Sequence, residues 1–261
     1  MRVAGKEGLY HKLVFEVRYQ HGMVYLDRCG TTANRIMRTY PEWVLQDGSA
    51  NPQNAPLIHT STGIQFNFGA LKYDFSMDQP TNQAVLQSDI DTFVDQVAAL
   101  SAIVHEELEL SSFIREGFRV WYIFDMASED EANQWIRNLR PFNIESSLAD
   151  AFGGTLEAVG YTSIINTSER KYRISVNTVE RLERLDVGNL SILPRSLPRK
   201  QREALLEQMR AKKRLRLNPH YAAAIDVDAY IDEPIDVVPQ DFITQSLSVI
   251  EEKLPSAIQR R

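Results

Sequence analysis

The chain contains a single cysteine, Cys29, and no apolar run that approaches the ~20 residues needed to cross a bilayer. One thiol can form neither an internal disulfide nor, alone, a zinc site, which excludes a fold stapled by disulfides and is typical of a reducing cytoplasm. The segment 1–20 carries basic residues but no uncharged apolar stretch, so it lacks the pattern of a signal peptide. These absences predict a cytoplasmic protein. We interpret Cys29 as a small structural residue near the start of a helix.

The common catalytic and cofactor motifs are also missing. The chain has no GxGxxG, no GxxxxGKS/T, no GxSxG and no CxxC, which are patterns of dinucleotide, nucleotide, acyl-transfer and thiol or metal sites. His105 and Glu109 lie four residues apart, but HExxH is absent, and a surface ion pair on a helix is the simpler interpretation. We therefore predict no cofactor, and the sequence favours a binding protein over an enzyme without excluding an enzyme.

The chain is acidic overall but carries one strongly basic segment. The formal net charge is −6, whereas residues 195–216 hold nine Lys and Arg against two Glu and so carry +7. Two structural interpretations are that cations gather at a helix C-terminus, or that the segment docks on an acidic surface. The functional alternative is nucleic-acid binding by a basic cluster: Arg210, Lys212, Lys213, Arg214 and Arg216. The segment contains no aromatic residue for base stacking, and the acidic remainder would oppose a long nucleic acid.

Alternation with a period of two predicts strands, and apolar spacings of three to four residues predict helices. The predicted strands are 12–19, 56–61, 63–69, 70–78, 117–125, 154–167, 170–182 and 222–233. The predicted helices are 31–46, 88–108, 128–139 and one that begins near 239–241. The helix N-caps are expected at Thr31 or Thr32, at Ser88, and at Ser128, where Glu131 completes a capping box.

These elements can be arranged as two halves with the same order. Residues 12–109 have the order β-α-β-β-β-α, and residues 117–257 repeat it with the basic segment inserted before the last strand. We therefore predict an α+β fold of two related βαβββα halves, with mainly antiparallel sheet packed by amphipathic helices. The halves would span 1–112 and 113–261, with the insertion at about 186–219, as two domains or as a single compact domain.

The alignment of the halves rests on their closing strands. When Asp78 is aligned with Asp232, Asp74 is aligned with Asp228 and Lys72 with Asp226. The apolar residues of the two strands then alternate in the same phase. The two strands would then occupy equivalent places in the two halves.

The closing strand of the second half carries an unusual density of acids. Asp226 and Asp228 alternate with apolar residues, which predicts that both point to the face of the strand opposite the core. A calcium loop of the EF-hand kind is excluded, because its sixth and twelfth positions would be Ile231 and Val237. A magnesium site needs only one or two carboxylates together with substrate phosphates. A metal-dependent phosphodiester or phosphoryl-transfer enzyme using Asp226 and Asp228 is therefore one alternative.

Two stretches carry a family resemblance. The strand FIREGFRVWYIFD, which follows a long amphipathic helix, and the closing AIDVDAYIDEP strand with its helix resemble a sporadically distributed family of uncharacterised prokaryotic proteins of similar length. The resemblance implies that the signature positions are Arg115, Gly117, Arg119, Asp226 and Asp228. It implies no activity, and the scattered distribution of that family suggests an accessory system such as a defence or regulatory cassette. From the residues themselves, Gly117 is equally well explained by a turn into the strand.

The leading functional hypothesis is a non-catalytic binding or assembly protein that recognises another protein or a small ligand between its halves. It follows from the absence of any convergent nucleophile, base or cofactor motif. We also expect a homodimer.

Overall fold

The computed structural model describes residues 1–20, 22–46, 54–78, 85–139, 160–182 and 219–258. The strands in these ranges are β1 (Arg2–Val3), β2 (Lys6–Glu7), β3 (Leu9–Tyr19), β4 (Trp43–Leu45), β5 (Asn54–His59), β6 (Gln65–Gly69), β7 (Lys72–Asp78), β8 (Phe113–Met126), β9 (Gly160–Asn166), β10 (Lys171–Leu182) and β11 (Pro219–Asp232). The helices are α1 (Gly22–Thr39), α2 (Gln87–Glu107), α3 (Glu129–Arg137) and α4 (Pro239–Ile258). The α+β class predicted from the sequence is confirmed.

Nine of the strands form one antiparallel sheet in the order β4-β5-β6-β7-β3-β8-β11-β10-β9. The two short strands β1 and β2 form a separate hairpin. The centre of the large sheet is the pairing of β3 with β8, so the sheet runs without interruption across the predicted boundary at residues 112 and 113. The residues before and after that boundary also share one hydrophobic core.

Alternation along the central strands gives the sheet two chemically different faces. In β3, Leu13, Phe15, Val17 and Tyr19 are all fully buried, while the residues between them are polar or partly exposed. The same pattern in β11 buries Ile225, Val227 and Ala229 and places the aspartates on the other side. We call the buried side the helix face and the opposite side the polar face.

Each described helix docks on the helix face through large side chains. Tyr25 of α1 packs edge-on against Phe68, Trp135 of α3 lies 4.8 Å from Phe124, and Phe242 of α4 lies 6.5 Å from Phe15, all measured between ring centroids. The buried stripe of α2 joins the same core. None of the described helices has the length and apolar character required of a membrane span.

The first helix differs from the prediction. It begins at Gly22 and ends at Thr39, so Thr32 lies inside it, buried, with its hydroxyl donating 2.9 Å to the carbonyl of Arg28. Cys29 therefore lies in the middle of α1, and its assignment to a helix start was wrong. The helix stops before Pro41 because a residue preceding proline avoids the helical conformation. A short strand, β4, follows where the helix was expected to continue.

The other helix starts agree more closely. The hydroxyl of Ser128 accepts from the backbone N–H of Glu131 at 3.1 Å, as predicted for the start of α3. The expected cap at Ser88 is wrong, since α2 begins at Gln87 and its preceding N–H, on Leu86, donates to the carboxylate of Asp89 at 2.8 Å.

Strand order and register agree with a repeated unit. Outward from the centre, one side reads β3-β7-β6-β5 and the other reads β8-β11-β10-β9. The β3–β7 ladder pairs Lys12 with Asp78, and the β11–β8 ladder pairs Arg115 with Asp232. When Asp78 is aligned with Asp232, their ladder partners Lys12 and Arg115 occupy equivalent positions on the two central strands, β3 and β8. The duplication itself stays a prediction, because two similar topologies can also arise without common descent.

One acidic side chain is buried on the helix face. Glu116 of β8 is only 2% exposed, and its Oε1 has no hydrogen-bond partner among the described residues. Burial raises the pKa of Glu116 to about 8, and the nearby Arg170 guanidinium offsets only part of that effect. Arg170 itself is held by α4, since it donates at 2.8 Å to both Ser246 and Gln245. At neutral pH we therefore expect Glu116 to be mostly protonated.

This burial predicts a pH dependence of stability. Between pH 4.5 and about 8 the folded protein keeps a proton on Glu116 that the unfolded chain releases, so Glu116 contributes a fall in the free energy of unfolding as pH rises through this window. This contribution approaches about 1.4 kcal/mol per pH unit where the two states differ by one proton at this site. We expect Glu116→Gln to remove it, so that the free energy of unfolding of the wild type falls relative to that of the variant in urea unfolding at pH 5, 6, 7 and 8.

A matched control is Glu106→Gln, which removes a carboxylate that is 67% exposed. The buried histidines act in the opposite direction, because burial lowers the pKa of His59 and lowers that of His105 to about 4, so that the unfolded chain binds the extra protons. Their contribution is common to the wild type and Glu116→Gln and cancels in the difference between the two proteins. Parallel pH profiles for the wild type and Glu116→Gln would show that Glu116 does not carry the proton.

Candidate functional site

The structure brings the five predicted signature residues together on the polar face. Arg115, Gly117 and Arg119 occupy alternate positions of β8, and Asp226 and Asp228 occupy alternate positions of β11. The two strands are neighbours near the centre of the sheet, with Asp228 opposite Arg119 and Asp232 opposite Arg115. Residues that are more than 100 positions apart in the chain are thus cross-strand neighbours.

Asp226 is paired with an arginine. The Nε of Arg119 donates to one carboxylate oxygen at 2.7 Å, and its Nη2 donates to the other at 2.5 Å. This two-pronged geometry fixes both side chains more firmly than a single contact would. The guanidinium also lies 5.1 Å from the ring centroid of Trp121, which packs beside it.

Asp228 is held by a second arginine, which bridges two strands. The Nη2 of Arg115 donates to both oxygens of Asp228, at 2.8 and 2.9 Å, and its Nη1 donates to Glu16 of β3 at 3.0 Å. The side chains of Arg115, Asp228 and Glu16 are 16%, 11% and 15% exposed. Such a shielded arrangement is sensitive to the loss of one partner, because the remaining charge is left without compensation.

Gly117 makes this bridge possible. A Cβ at position 117 would lie 2.6 Å from Nη1 and 2.9 Å from Cζ of Arg115, so the guanidinium occupies the space above the glycine. Tyr230 stands opposite Gly117 in the ladder, and its ring centroid lies 4.8 Å from the same guanidinium. Gly117 lies inside β8, so its interpretation as a turn into the strand was wrong.

Glu16 accepts hydrogen bonds from several cationic side chains. Its Oε1 accepts from Nε of Arg18 at 2.7 Å as well as from Arg115, and its Oε2 accepts from Lys72 at 2.9 Å. Arg18 and Arg115 are directly opposite each other in the β3–β8 ladder, a like-charge placement that is unfavourable unless it is neutralised. Burial raises the pKa of Glu16, but the hydrogen bonds from Lys72 and Arg18 outweigh it and hold the pKa below its ordinary value.

A pocket of about 430 Å³ opens on this part of the polar face. We call it the junction pocket, because it is lined by residues of both predicted halves. Its charged lining residues are Glu16, Arg18, Arg115, Arg119, Arg173 and Asp228, and its other lining residues are Val14, Gly117, Ile164 and Tyr230. The volume lies within the range of small-molecule sites.

Arg173 is the least engaged arginine of the pocket. It stands opposite Asp228 in the β10–β11 ladder, and its Nη2 lies 3.5 Å from Oδ2 of that aspartate. It makes no side-chain hydrogen bond to any described residue, and its side chain is 41% exposed. An arginine has five N–H donors, so Arg173 retains donors that can bind a ligand.

The metal alternative gains no support from this geometry. Asp226 and Asp228 each accept two hydrogen bonds from a guanidinium, which already supplies their compensating positive charge. Across the described ranges no group of three or more His, Cys, Asp and Glu side chains could hold a metal ion. A cation would have to displace Arg115 or Arg119 before it could bind.

Two further predictions concerned a His105–Glu109 ion pair and the basic cluster. His105 and Glu109 do not form an ion pair: His105 is hydrogen-bonded through Nε2 to the Tyr73 hydroxyl at 2.8 Å, and Glu109 is paired with Arg28 at 2.7 Å.

The basic cluster lies outside the described residues, so nucleic-acid binding through it stays a prediction. Its members are Arg210, Lys212, Lys213, Arg214 and Arg216.

Sequence reasoning missed part of the site. Glu16 and Arg18 fall only within the predicted strand 12–19, and Arg173 only within the predicted strand 170–182. The signal available for all three is the phase of the alternation, which places them on the face opposite the core. That phase does not reveal which strands become neighbours.

The position of Arg115 predicts an unusual effect of Gly117→Ala. Alanine in a strand normally stabilises relative to glycine by about 0.5–1 kcal/mol, but here its methyl group would displace the guanidinium from Glu16 and Asp228. We expect Gly117→Ala to lower the free energy of unfolding by about 1–3 kcal/mol, the range for loss of charged hydrogen bonds. In an Arg115→Ala background the same substitution should be neutral or stabilising, which a double-mutant cycle by urea unfolding measures.

Gly30 provides the control for this cycle. It lies within α1, and a Cβ added there would meet no atom of the described residues within 4 Å, so Gly30→Ala should stabilise by up to about 1 kcal/mol in either background. An equal loss from Gly117→Ala with and without Arg115 would show that the glycine is needed for another reason.

Comparison with known proteins identifies no family for this chain. No family model matches the chain, and no curated protein matches it. The resemblance to the sporadically distributed prokaryotic family therefore stays an expectation that rests on the quoted motifs.

Proposed function

We propose that the protein is a non-catalytic binding protein whose ligand, a small anion, occupies the junction pocket. The observation that carries the proposal is the convergence of four lining arginines with only two lining carboxylates, Glu16 and Asp228. Counting Asp226, which pairs with Arg119 outside the lining, the carboxylates are still fewer than the arginines. The positive excess sits in a concave site on the polar face, where an anion would find hydrogen-bond donors already positioned.

The composition of the pocket supports binding rather than catalysis. Among the residues that the structure describes, its lining contains no Cys, His, Ser, Thr or Lys side chain, which are the usual nucleophiles and several of the usual proton carriers. Its two carboxylates, Glu16 and Asp228, already accept hydrogen bonds from guanidinium groups, so neither is a free general base. Arginine stays protonated at physiological pH and serves to bind and orient.

The location of the pocket supports recognition between the halves. Val14, Glu16 and Arg18 come from β3 of the first half, and Arg115 and Arg119 come from β8 of the second. A ligand that contacts the residues of β3 and those of β8 would link the two central strands on the polar face. Binding would then stabilise the folded protein in proportion to ligand concentration.

A binding experiment tests the proposal. Isothermal titration and thermal shift would be measured with inorganic phosphate, pyrophosphate and short mono- and dicarboxylates at low salt. We expect at least one of these anions to bind and to raise Tm, with affinity that falls as salt increases. Arg173→Glu should weaken binding at least tenfold, because it removes free donors from the pocket and adds a negative charge. Since the new carboxylate would stand opposite Asp228, thermal unfolding of the free variant is measured first to show that it is folded.

The matched control is Arg35→Glu. Arg35 is about as exposed as Arg173 but pairs with Glu106 and Glu107 on the helical side of the protein. Mass spectrometry of the ligand after incubation should recover it unchanged. Equal affinity in the wild type and Arg173→Glu would contradict the site, and absence of binding by every anion would contradict the function.

The setting that we propose is the cytoplasm of a prokaryotic cell, with the protein as a homodimer. The single cysteine and the family resemblance support this setting. Light scattering in solution should give twice the chain mass of 29.8 kDa. A mass equal to that of one chain at micromolar concentration would contradict the dimer.

A further inference from the structure

We infer that the ligand of the junction pocket carries an anionic group at each end and no charge between them. This inference rests on the proposed function and names the chemical class of ligand. It follows from the order in which the charges of the pocket contact one another.

Five side chains form a continuous chain of alternating charge, which we call the arginine–carboxylate chain. Its members, in order of contact, are Arg18, Glu16, Arg115, Asp228 and Arg173. The links are 2.7 Å from Arg18 to Glu16, 3.0 Å from Glu16 to Arg115, 2.8 Å from Arg115 to Asp228, and 3.5 Å from Asp228 to Arg173. Glu16 also accepts from Lys72, which does not line the pocket. Among the lining residues the chain therefore begins and ends with an arginine.

The three inner members satisfy one another. Arg115 uses Nη1 for Glu16 and Nη2 for both oxygens of Asp228, and the inner triad has one positive and two negative charges. An anionic group over this part of the pocket would face both carboxylates. The middle of the ligand is therefore expected to be uncharged, and Val14, Gly117 and Ile164 contribute apolar lining to the pocket.

The two terminal arginines keep unused donors. Among the described residues, Arg18 uses only its Nε, for Glu16, and Arg173 makes the single 3.5 Å contact with Asp228. Their side chains are 52% and 41% exposed, so both can be reached from solvent. A carboxylate or phosphate at each end would continue the alternation of charge at both termini.

The register sets the separation of the two ends. Arg18 is level with Arg115, while Arg173 is level with Arg119, four residues further along β8. These rows are about 13 Å apart along the strands, and β3 and β10 are about 14 Å apart across the sheet. The backbones of the two arginines thus stand at opposite corners of the pocket, and one small inorganic anion cannot engage both side chains fully.

A length series of ligands tests this inference. Titration calorimetry would compare α,ω-dicarboxylates from succinate to sebacate with monocarboxylates of the same carbon number, and α,ω-alkane bisphosphates with the matching monophosphates. We expect the dianions to bind at least tenfold more tightly than the monoanions, with an optimum at an intermediate length. The two series also distinguish carboxylate from phosphate as the preferred end group.

Variants at both ends sharpen the test. Arg18→Ala and Arg173→Ala should each reduce the affinity for the best dianion to about that of its monoanion, and removing both should abolish binding. Arg35→Ala should leave all affinities unchanged. Thermal unfolding of each free variant confirms that it is folded before titration.

The possible outcomes separate the two proposals. If monoanions bind as tightly as dianions and depend on only one of the two arginines, the two-ended ligand is wrong while the anion site stands. If a dianion of every length fails to bind but a monoanion binds, the same conclusion follows. If no anion binds at all, the proposed function itself is overturned.

Discussion

The pairing of β3 with β8 is the constraint on which the rest of the structure depends. It joins the first and second parts of the chain into one sheet and places Glu16 opposite Gly117 and Arg18 opposite Arg115. On the helix face the same two strands supply fully buried Phe15 and Phe118 to the shared core. Because side chains alternate strictly along a strand, a register shift of one residue would move the charges into the core and the aromatic rings to the polar face. Core packing therefore fixes the geometry of the polar site.

The centre of the site has an excess of negative charge and its two ends are positive. Arg115 lies above Gly117 and bridges two carboxylates that would otherwise repel each other. Removing solvent from three charges is unfavourable unless they are paired and hydrogen-bonded, and the bridging guanidinium donates to both carboxylates of the inner triad. Arg18 and Arg173 are not neutralised to the same extent, which is why an added anion has a favourable place to bind.

Neighbouring residues of β8 serve opposite sides of the sheet. Arg115 holds the charged network on the polar face, while Glu116 points into the apolar core near Arg170, where burial raises its pKa to about 8. The two side chains are one residue apart in sequence, but Arg115 lies beside carboxylates on the polar face whereas Glu116 is removed from solvent in the core. Burial on the helix face is therefore what keeps Glu116 mostly protonated at pH 7.

The sequence by itself determined the α+β class, most strands, and which side chains share a face, because period-two alternation is a local property of the chain. It also indicated that the acids of β11 lie opposite the core. The family resemblance implied that Arg115, Gly117, Arg119, Asp226 and Asp228 are signature positions, but it did not indicate that they meet on one face. Only the tertiary structure decided which strands are neighbours, and with that the roles of Glu16, Arg18 and Arg173. Local periodicity carries no information about pairing between residues about 100 positions apart. The Arg115 guanidinium lies where a side chain at position 117 would be. This relation follows only from the tertiary structure, in which β3, β8 and β11 lie side by side.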